Sequence, residues 1–110
     1  MKDDRPYLEH ILEAIRKIDS YTADGRDAFM QNAMAQDAVL RNFEIIGEAA
    51  KRLSSDTKAR RPDIPWRDVA GLRDVLIHNY MGVNLNRIWT VVARDLPPLR
   101  KGVENLLGQG

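Results

Sequence analysis

The chain carries, at residues 38–50, the run AVLRNFEIIGEAA. Its apolar side chains recur every three or four residues, the period of an amphipathic helix. The same pattern extends over residues 26–53 and predicts one long helix with two apolar faces. One face holds Phe29, Ala33, Val39, Leu40, Phe43, Ile46, Gly47, Ala50 and Leu53, and the other holds Met34, Ala38, Ile45 and Ala49. A helix buries both of its apolar faces, so the second face is expected to meet another subunit, with Asn42 nearby to hydrogen-bond there.

The rest of the chain also shows helical periods. Helices are predicted at residues 6–22, at 66–79, at 84–94 and after the pair Pro97-Pro98, with a polar connector at 54–64. No segment alternates apolar and polar residues as a strand does. A chain of 110 residues is long enough for one core and too short for two. The predicted fold is therefore all-α, an antiparallel bundle of four to five main helices in one domain over residues 1–110.

Composition excludes several classes of protein. The chain has no cysteine, so it can form neither disulfides nor thiolate metal sites. No apolar run approaches the roughly 20 residues of a membrane span, and the charged N-terminus argues against a signal peptide. We therefore expect a cytoplasmic protein without a membrane partner.

Charge is unevenly distributed although the formal net charge is only +1. Residues 1–50 hold six basic and ten acidic side chains, whereas residues 51–73 hold seven basic and three acidic ones. A bulk nucleic-acid binder would show a basic surface over the whole domain. The local basic stretch is either a solvated loop and helix end or part of an anion site that leads into residues 73–78.

Arg73 interrupts the apolar face of the predicted helix 66–79. At about 100° per residue it lies about 20° from Trp66, inside an apolar arc of about 160°. An arginine cannot lose its charge, so burying one is costly unless an anion meets it. Either its head reaches solvent or a carboxylate, or it binds a phosphate, for which its planar fork is well suited.

Two further polar groups follow Arg73 closely. His78, one of only two histidines, titrates in the neutral range and pairs at helical spacing with Asp74, which can orient the imidazole. The other histidine, His10, falls on the exposed face of the first helix. On one helix His78 lies about 140° from Arg73, so the two cannot reach one atom from the same side. Two copies of the helix across a two-fold axis could line one cleft with both groups.

The order Arg73-(x4)-His78-x-Tyr80 resembles the signature of HepT-type toxins, which are ribonucleases of the HEPN superfamily. The likeness extends over residues 8–12, 21–22, 36–42, 45–51, 64–67, 76–80, 82–83 and 95–97. Asn79 departs from the family pattern, in which an acidic residue is common at that position.

The resemblance implies a function in some detail. HEPN ribonucleases are helical homodimers that cleave RNA, here a tRNA or an mRNA, without a metal or other cofactor. Arg73 and His78 would be the catalytic residues, Asp74 a supporting one. The family also pairs with a minimal nucleotidyltransferase antitoxin in type VII toxin–antitoxin systems, and that partner would adenylylate Tyr80 to silence the toxin. The competing hypothesis is a non-catalytic helical adaptor that binds a nucleotidyltransferase and nucleotide phosphates.

Overall fold

The computed structural model describes residues 3–72 and 84–108. Throughout these residues the regular structure is helical, which confirms the all-α prediction. The helices are α1 (Arg5–Tyr21), α2 (Arg26–Met30), α3 (Ala33–Lys51), α4 (Ser55–Arg60), α5 (Trp66–Ala70), α6 (Leu85–Thr90) and α7 (Leu96–Gly108), with a π-helical turn at Val91–Asp95 between α6 and α7. None of these helices is both long and apolar enough to cross a membrane.

The α1 helix forms where its apolar period predicts it. Leu8, Ile11, Ile15 and Ile18 lie on one face, and all four are buried. The helix ends where the Thr22 hydroxyl donates a hydrogen bond to the Ile18 carbonyl at 2.8 Å. Gly25 then takes a positive φ of 95°, a conformation that glycine adopts at low cost, and it turns the chain into α2.

The predicted long helix over residues 26–53 is interrupted, which corrects the prediction of one continuous helix. Asn32 is extended and caps α3, because its Oδ1 accepts a hydrogen bond from the Ala35 amide at 3.0 Å. Gln36 donates from Nε2 to the carbonyls of Phe29 and Met30, the last turn of α2. Side-chain caps thus satisfy the backbone groups that the break exposes.

The core lies mainly between α1 and α3, which form the most extensive helix pair in the described residues. The π-turn and α7 close it from another side. The largest fully buried side chains are Phe29, Phe43, Ile11, Ile15, Ile18, Ile46, Ile88, Leu96, Leu106, Val39 and Val103. Each contributes roughly 1.5–3 kcal/mol through burial, so this one core accounts for the cohesion of the bundle.

The second apolar face of α3 is mostly covered within the chain. Ala49 is buried, Ile45 packs against the core, and Ala38 is half-buried, whereas Met34 is 83% exposed. Asn42 is also buried and donates from Nδ2 to the Ala38 carbonyl at 2.8 Å. The chain therefore accounts for Ala49 and Ile45 itself, whereas Met34 is exposed and the buried Asn42 Oδ1 has no hydrogen-bond partner in the described residues.

The α5 helix is shorter than predicted. It ends at Ala70 and a turn follows at Gly71, where the prediction has one helix from residue 66 to 79. The angles assigned to residues beyond Gly71 assumed an unbroken helix, so the break removes the basis for placing Arg73 near Trp66. Residues 73–83 themselves lie outside the described part of the chain.

The sequence pattern predicted a helix break at Pro97-Pro98, but in the structure this pair does not separate two helices. Both prolines lie in the first turn of α7, directly after the π-turn Val91–Asp95. Proline has no amide N–H, so the carbonyls of Ala93 and Arg94 lack the donors of a regular α-helix. The wider π-turn accommodates this defect and lets the helical path continue.

We expect Gly47→Ala to destabilise the fold, because α3 and α5 touch at this glycine. An added Cβ would lie 2.9 Å from the backbone oxygen of Ala70, a contact that only a shift of the helices can relieve. Such overpacking typically costs about 1–3 kcal/mol. The measurement is the free energy of unfolding in urea.

The control is Gly108→Ala, at a helical glycine whose added Cβ meets nothing within 4 Å. It should leave stability unchanged or raise it slightly, since alanine favours helix. Equal stability of the two variants would contradict the close contact at Gly47.

Candidate functional site

The predicted site residues Arg73, Asp74, His78 and Tyr80 all fall within residues 73–83, outside the described part of the chain. The structure therefore does not test whether they come together. It does describe Leu72 and Asn84, the residues that flank this segment, and the surfaces around them.

The segment starts from a firmly held point. Trp66, Val69 and Leu72 are buried, and the Trp66 indole donates from Nε1 to the carbonyls of Arg61 and Lys58 at 3.1 and 3.2 Å. These bonds fix α5 against the connector that precedes it. Leu72, the residue before Arg73, is thus anchored on the core.

The segment ends at an equally defined point. Asn84 caps α6, because its Oδ1 accepts a hydrogen bond from the Arg87 amide at 3.1 Å. One turn later Ile88 is fully buried. Arg26 of α2 donates to Asn86 at 2.7 Å and holds α6 from outside. Both ends of the predicted site segment are therefore tied to the bundle.

A cavity of about 280 Å³ opens beside Leu72, between α5 and the π-turn; we call it the α5–π groove. Its walls are mostly apolar, and its charged lining residues are all carboxylates. It is lined by Asp63, Ile64, Pro65, Asp68, Val69, Leu72, Val91, Asp95, Leu96, Pro98 and Leu99. The π-turn supplies Val91 and Asp95, so the irregular helix shapes this groove directly.

Among the carboxylates of the groove, Asp63 is bound by an arginine through two hydrogen bonds. Arg61 donates to it from Nε at 2.9 Å and from a terminal nitrogen at 2.6 Å, the two-bonded geometry that binds carboxylates well. These hydrogen bonds lower the pKa of Asp63, and the same pairing raises the pKa of Arg61. Asp63 is therefore charged at neutral pH and paired with Arg61, as Asp95 is paired with Arg94 at 3.8 Å.

The basic stretch that precedes the site segment is partly neutralised. Lys51 pairs with Glu48 at 3.5 Å and Arg61 with Asp63, whereas Arg52, Lys58, Arg60 and Arg67 have no carboxylate within ion-pair distance among residues 3–72 and 84–108. Solvated pairs of this kind agree with the interpretation of the stretch as a solvated loop and helix end, the alternative being an anion site. They account for part of the stretch, and the other basic residues just named stay outside them.

Asp4 has a role that the sequence pattern did not indicate. This buried carboxylate accepts hydrogen bonds at Oδ2 from the Ser54 amide, the Ser54 hydroxyl and the Thr57 hydroxyl at 2.9, 2.6 and 2.6 Å. It therefore holds Ser54, the residue that caps α4, from a position 50 residues earlier in the chain. Its place two residues before Pro6 indicates a helix start, but no local signal links it to α4.

The candidate residues for metal binding can be stated for the described chain only. Among residues 3–72 and 84–108, no group of three or more histidine and carboxylate side chains is close enough to hold a metal ion.

Residues 11–106 match the family described as ribonuclease HepT-like. The chain belongs to the HepT-like ribonuclease family. Its match includes Arg73, His78 and Tyr80, so the resemblance seen in the sequence is confirmed at the level of the family and of the HEPN superfamily.

Individual relatives agree with this assignment. The chain is 43% identical over 103 residues to a Thermococcus cleftensis protein named "Probable ribonuclease HepT", covering 93% of this chain and 94% of the relative. It is 39% identical over 108 residues to a "Putative RNase" of Caldanaerobacter subterraneus subsp. tengcongensis, covering 97% and 96%.

A longer relative from Methanocaldococcus jannaschii is named "Gamma-glutamylcyclotransferase and putative RNase". It is 43% identical over 107 residues, or 96% of this chain, but the chain spans only 48% of that protein. No solved structure matches the chain.

Replacing Arg61 tests whether this arginine lowers the pKa of Asp63 in the α5–π groove. In Arg61→Gln the Asp63 carboxyl loses its two charge-assisted bonds, so its pKa should rise toward its ordinary value of 3.8. A lowered pKa stabilises the folded state above that ordinary value, and the contribution disappears as pH falls through the folded pKa. The variant should therefore lose less stability on acidification than the unmodified chain.

The measurement is an NMR titration of the Asp63 carboxyl between pH 2 and 6, with unfolding followed in parallel. An Asp63 titration that is identical with and without Arg61 would contradict the assigned cause.

Proposed function

We propose that this chain is a metal-independent endoribonuclease and the toxin of a type VII toxin–antitoxin pair. The observation that carries the proposal is the order Arg73-(x4)-His78-x-Tyr80 within a match to the HepT-like ribonuclease family. The substrate is RNA, and no cofactor is needed. The protein is expected to act in the cytoplasm.

The residues suggest a simple reaction. A ribose 2′-oxygen attacks the adjacent phosphorus while the bond to the 5′-oxygen of the next nucleotide breaks. His78 accepts the 2′-proton as general base or donates a proton to the leaving 5′-oxygen as general acid. Arg73 binds the non-bridging oxygens, on which negative charge develops. The products are a 2′,3′-cyclic phosphate end and a 5′-hydroxyl end.

Two copies of the chain would form the complete site. Arg73 and His78 are five residues apart, so on one helix they point in different directions. A second copy across a two-fold axis could place its own arginine or histidine in the same cleft. Asp74, four residues before His78, would orient the imidazole and stabilise its charged form. Because the chain covers most of the second face of α3 itself, the dimer is supported by the family and by this spacing alone.

The partner of the toxin would be a cognate nucleotidyltransferase that transfers AMP from ATP to the Tyr80 oxygen and releases pyrophosphate. The modified tyrosine carries a phosphodiester with one negative charge. Arg73 can bind that phosphate in place of the RNA phosphate. The modification would thus inhibit by occupying the site, with the fold intact.

We expect Arg73→Ala and His78→Ala each to lower RNA cleavage by at least about 100-fold in the presence of EDTA. The reason is the loss of charge stabilisation in the first and of proton transfer in the second. The measurement is cleavage of an end-labelled RNA by purified protein. The mapped ends of the unmodified chain's products should be a 2′,3′-cyclic phosphate and a 5′-hydroxyl.

Arg16→Ala is the matched control, because Arg16 is an exposed arginine that pairs only with the neighbouring Glu13 in the described residues. It should cleave at the full rate. Undiminished cleavage by His78→Ala would refute the acid–base role. Absence of cleavage by the unmodified chain, with tight nucleotidyltransferase binding, would instead support the adaptor hypothesis.

We also expect the nucleotidyltransferase and ATP to add AMP to the unmodified chain and not to Tyr80→Phe, because the phenylalanine has no oxygen to modify. Intact-protein mass spectrometry measures the addition. Tyr21→Phe is the control, since Tyr21 is exposed and should leave the modification unchanged. Full ribonuclease activity of the modified chain would show that Tyr80 does not control the site.

A further inference from the structure

A second groove lies between α1 and α3, away from the carboxylates of the α5–π groove; we call it the α1–α3 groove. It encloses about 320 Å³. Its lining residues are Tyr7, His10, Arg41, Glu44, Ile45, Glu48, Ala49 and Arg52. An aromatic ring, two arginines and a histidine thus share one concavity above an apolar floor.

The arginines of this groove are arranged along one side of α3. Arg41 and Arg52 are 11 residues apart, which corresponds to about 16 Å along a helix axis. Arg52 is exposed and has no carboxylate within ion-pair distance in the described residues. Arg41 makes only a long pair with Glu44 at 3.8 Å, and 69% of its side chain is exposed. Both guanidinium groups can therefore turn toward an anion.

One of the two glutamates of the groove is paired with a cation outside the lining. Glu48 lies 3.5 Å from Lys51, whereas Glu44 lies 3.8 Å from Arg41 itself. Lys51 therefore accompanies Glu48 while Arg41 and Arg52 contact an anion. The glutamate oxygens can still accept hydrogen bonds from hydroxyl or amino groups of a bound molecule.

Tyr7 supplies the aromatic surface. Its side chain is half-buried and packs against the core, so the ring is held in place where it lines the groove. Ile45 and Ala49 form the apolar floor next to it. Proteins that bind single-stranded nucleic acids combine aromatic rings, on which bases stack, with cations that bind the backbone.

Charge distinguishes this groove from two other concavities in the described residues. The α5–π groove has three aspartates and no cation. A third concavity, beside the start of α1, has Asp3, Asp4 and Asp56 against Arg5 and Arg60. Of these three, only the α1–α3 groove has cations at least equal in number to its carboxylates.

We propose that the α1–α3 groove binds single-stranded RNA, as a substrate-binding site distinct from the catalytic residues of the proposed ribonuclease. Arg41 and Arg52 bind phosphates, and a base stacks on Tyr7. Stacked nucleotides rise about 3.4 Å each, so the two arginines contact phosphates that are not adjacent. His10 can donate a hydrogen bond to a phosphate or a ribose hydroxyl. This inference rests on the proposed function only for the choice of RNA.

The test measures binding separately from cleavage. The probe is a fluorescein-labelled, fully 2′-O-methylated oligouridine of 12 nucleotides, which cannot be cleaved by 2′-oxygen attack. Fluorescence anisotropy gives the Kd at several salt concentrations. We expect Arg41→Ala and Arg52→Ala each to weaken binding about 3- to 10-fold and to reduce the salt slope by about 0.7, the value for one phosphate contact on a single strand.

The aromatic contact has its own pair of variants. Tyr7→Leu should weaken binding at least about fivefold, the lower limit for loss of one stacked base, whereas Tyr7→Phe should retain it. Circular dichroism and urea unfolding show whether each variant is folded. Arg100→Ala is the matched control for charge, because Arg100 pairs with Asp19 on another part of the surface, and it should bind the probe as the unmodified chain does.

Several outcomes overturn the proposal. The first is that the unmodified chain does not bind the probe. The second is that the arginine variants bind it as tightly as Arg100→Ala, with the same salt slope. The third is that a polyglutamate peptide displaces the probe at equal charge concentration. Cleavage assays keep the two proposals apart. A chain that cleaves RNA but binds it independently of Arg41 and Arg52 removes only the groove, and one that binds as expected without cleaving removes only the ribonuclease.

Discussion

The burial of α3 between two other helices is the constraint on which the rest of the structure depends. On one side α1 packs along it around Phe43 and Ile46, which are fully buried. On another side α5 approaches so closely that only a glycine fits at position 47. Because interiors are close-packed and tolerate little added volume, this arrangement fixes the distance between α3 and α5.

The charges around the bundle are segregated by the same arrangement. Asp63, Asp68 and Asp95 line the groove between α5 and the π-turn, whereas Arg41 and Arg52 line the groove between α1 and α3. Glu44 and Glu48 also line the second groove, so its formal charges balance, whereas the lining of the first groove is only acidic. In the proposed complex, Arg41 and Arg52 supply the phosphate contacts to the RNA.

The fold was predictable wherever one local signal dominates. The period of Leu8, Ile11, Ile15 and Ile18 predicts α1 correctly, because one apolar stripe determines which side is buried. The predictions were wrong where a polar or irregular residue competes with the apolar period. Asn32 caps α3 inside what the sequence pattern presents as one continuous helix, and Gly71 ends α5 early. Pro97-Pro98 lie in the first turn of α7, directly after a π-turn that lets the helical path continue. Each of these outcomes depends on which backbone groups find a partner, and periodicity does not report that.

The sequence by itself determined the helical class, most of α1 and the family, since these follow from apolar spacing and from the order Arg73-(x4)-His78-x-Tyr80. The tertiary structure alone decided that Asp4 holds Ser54, the cap of α4, and that the chain covers most of the second face of α3. It also decided that Tyr7 of α1 shares a groove with Arg52 of α3. Local patterns record which side of a helix is apolar, but contacts between residues about 50 positions apart arise only when whole helices pack against each other.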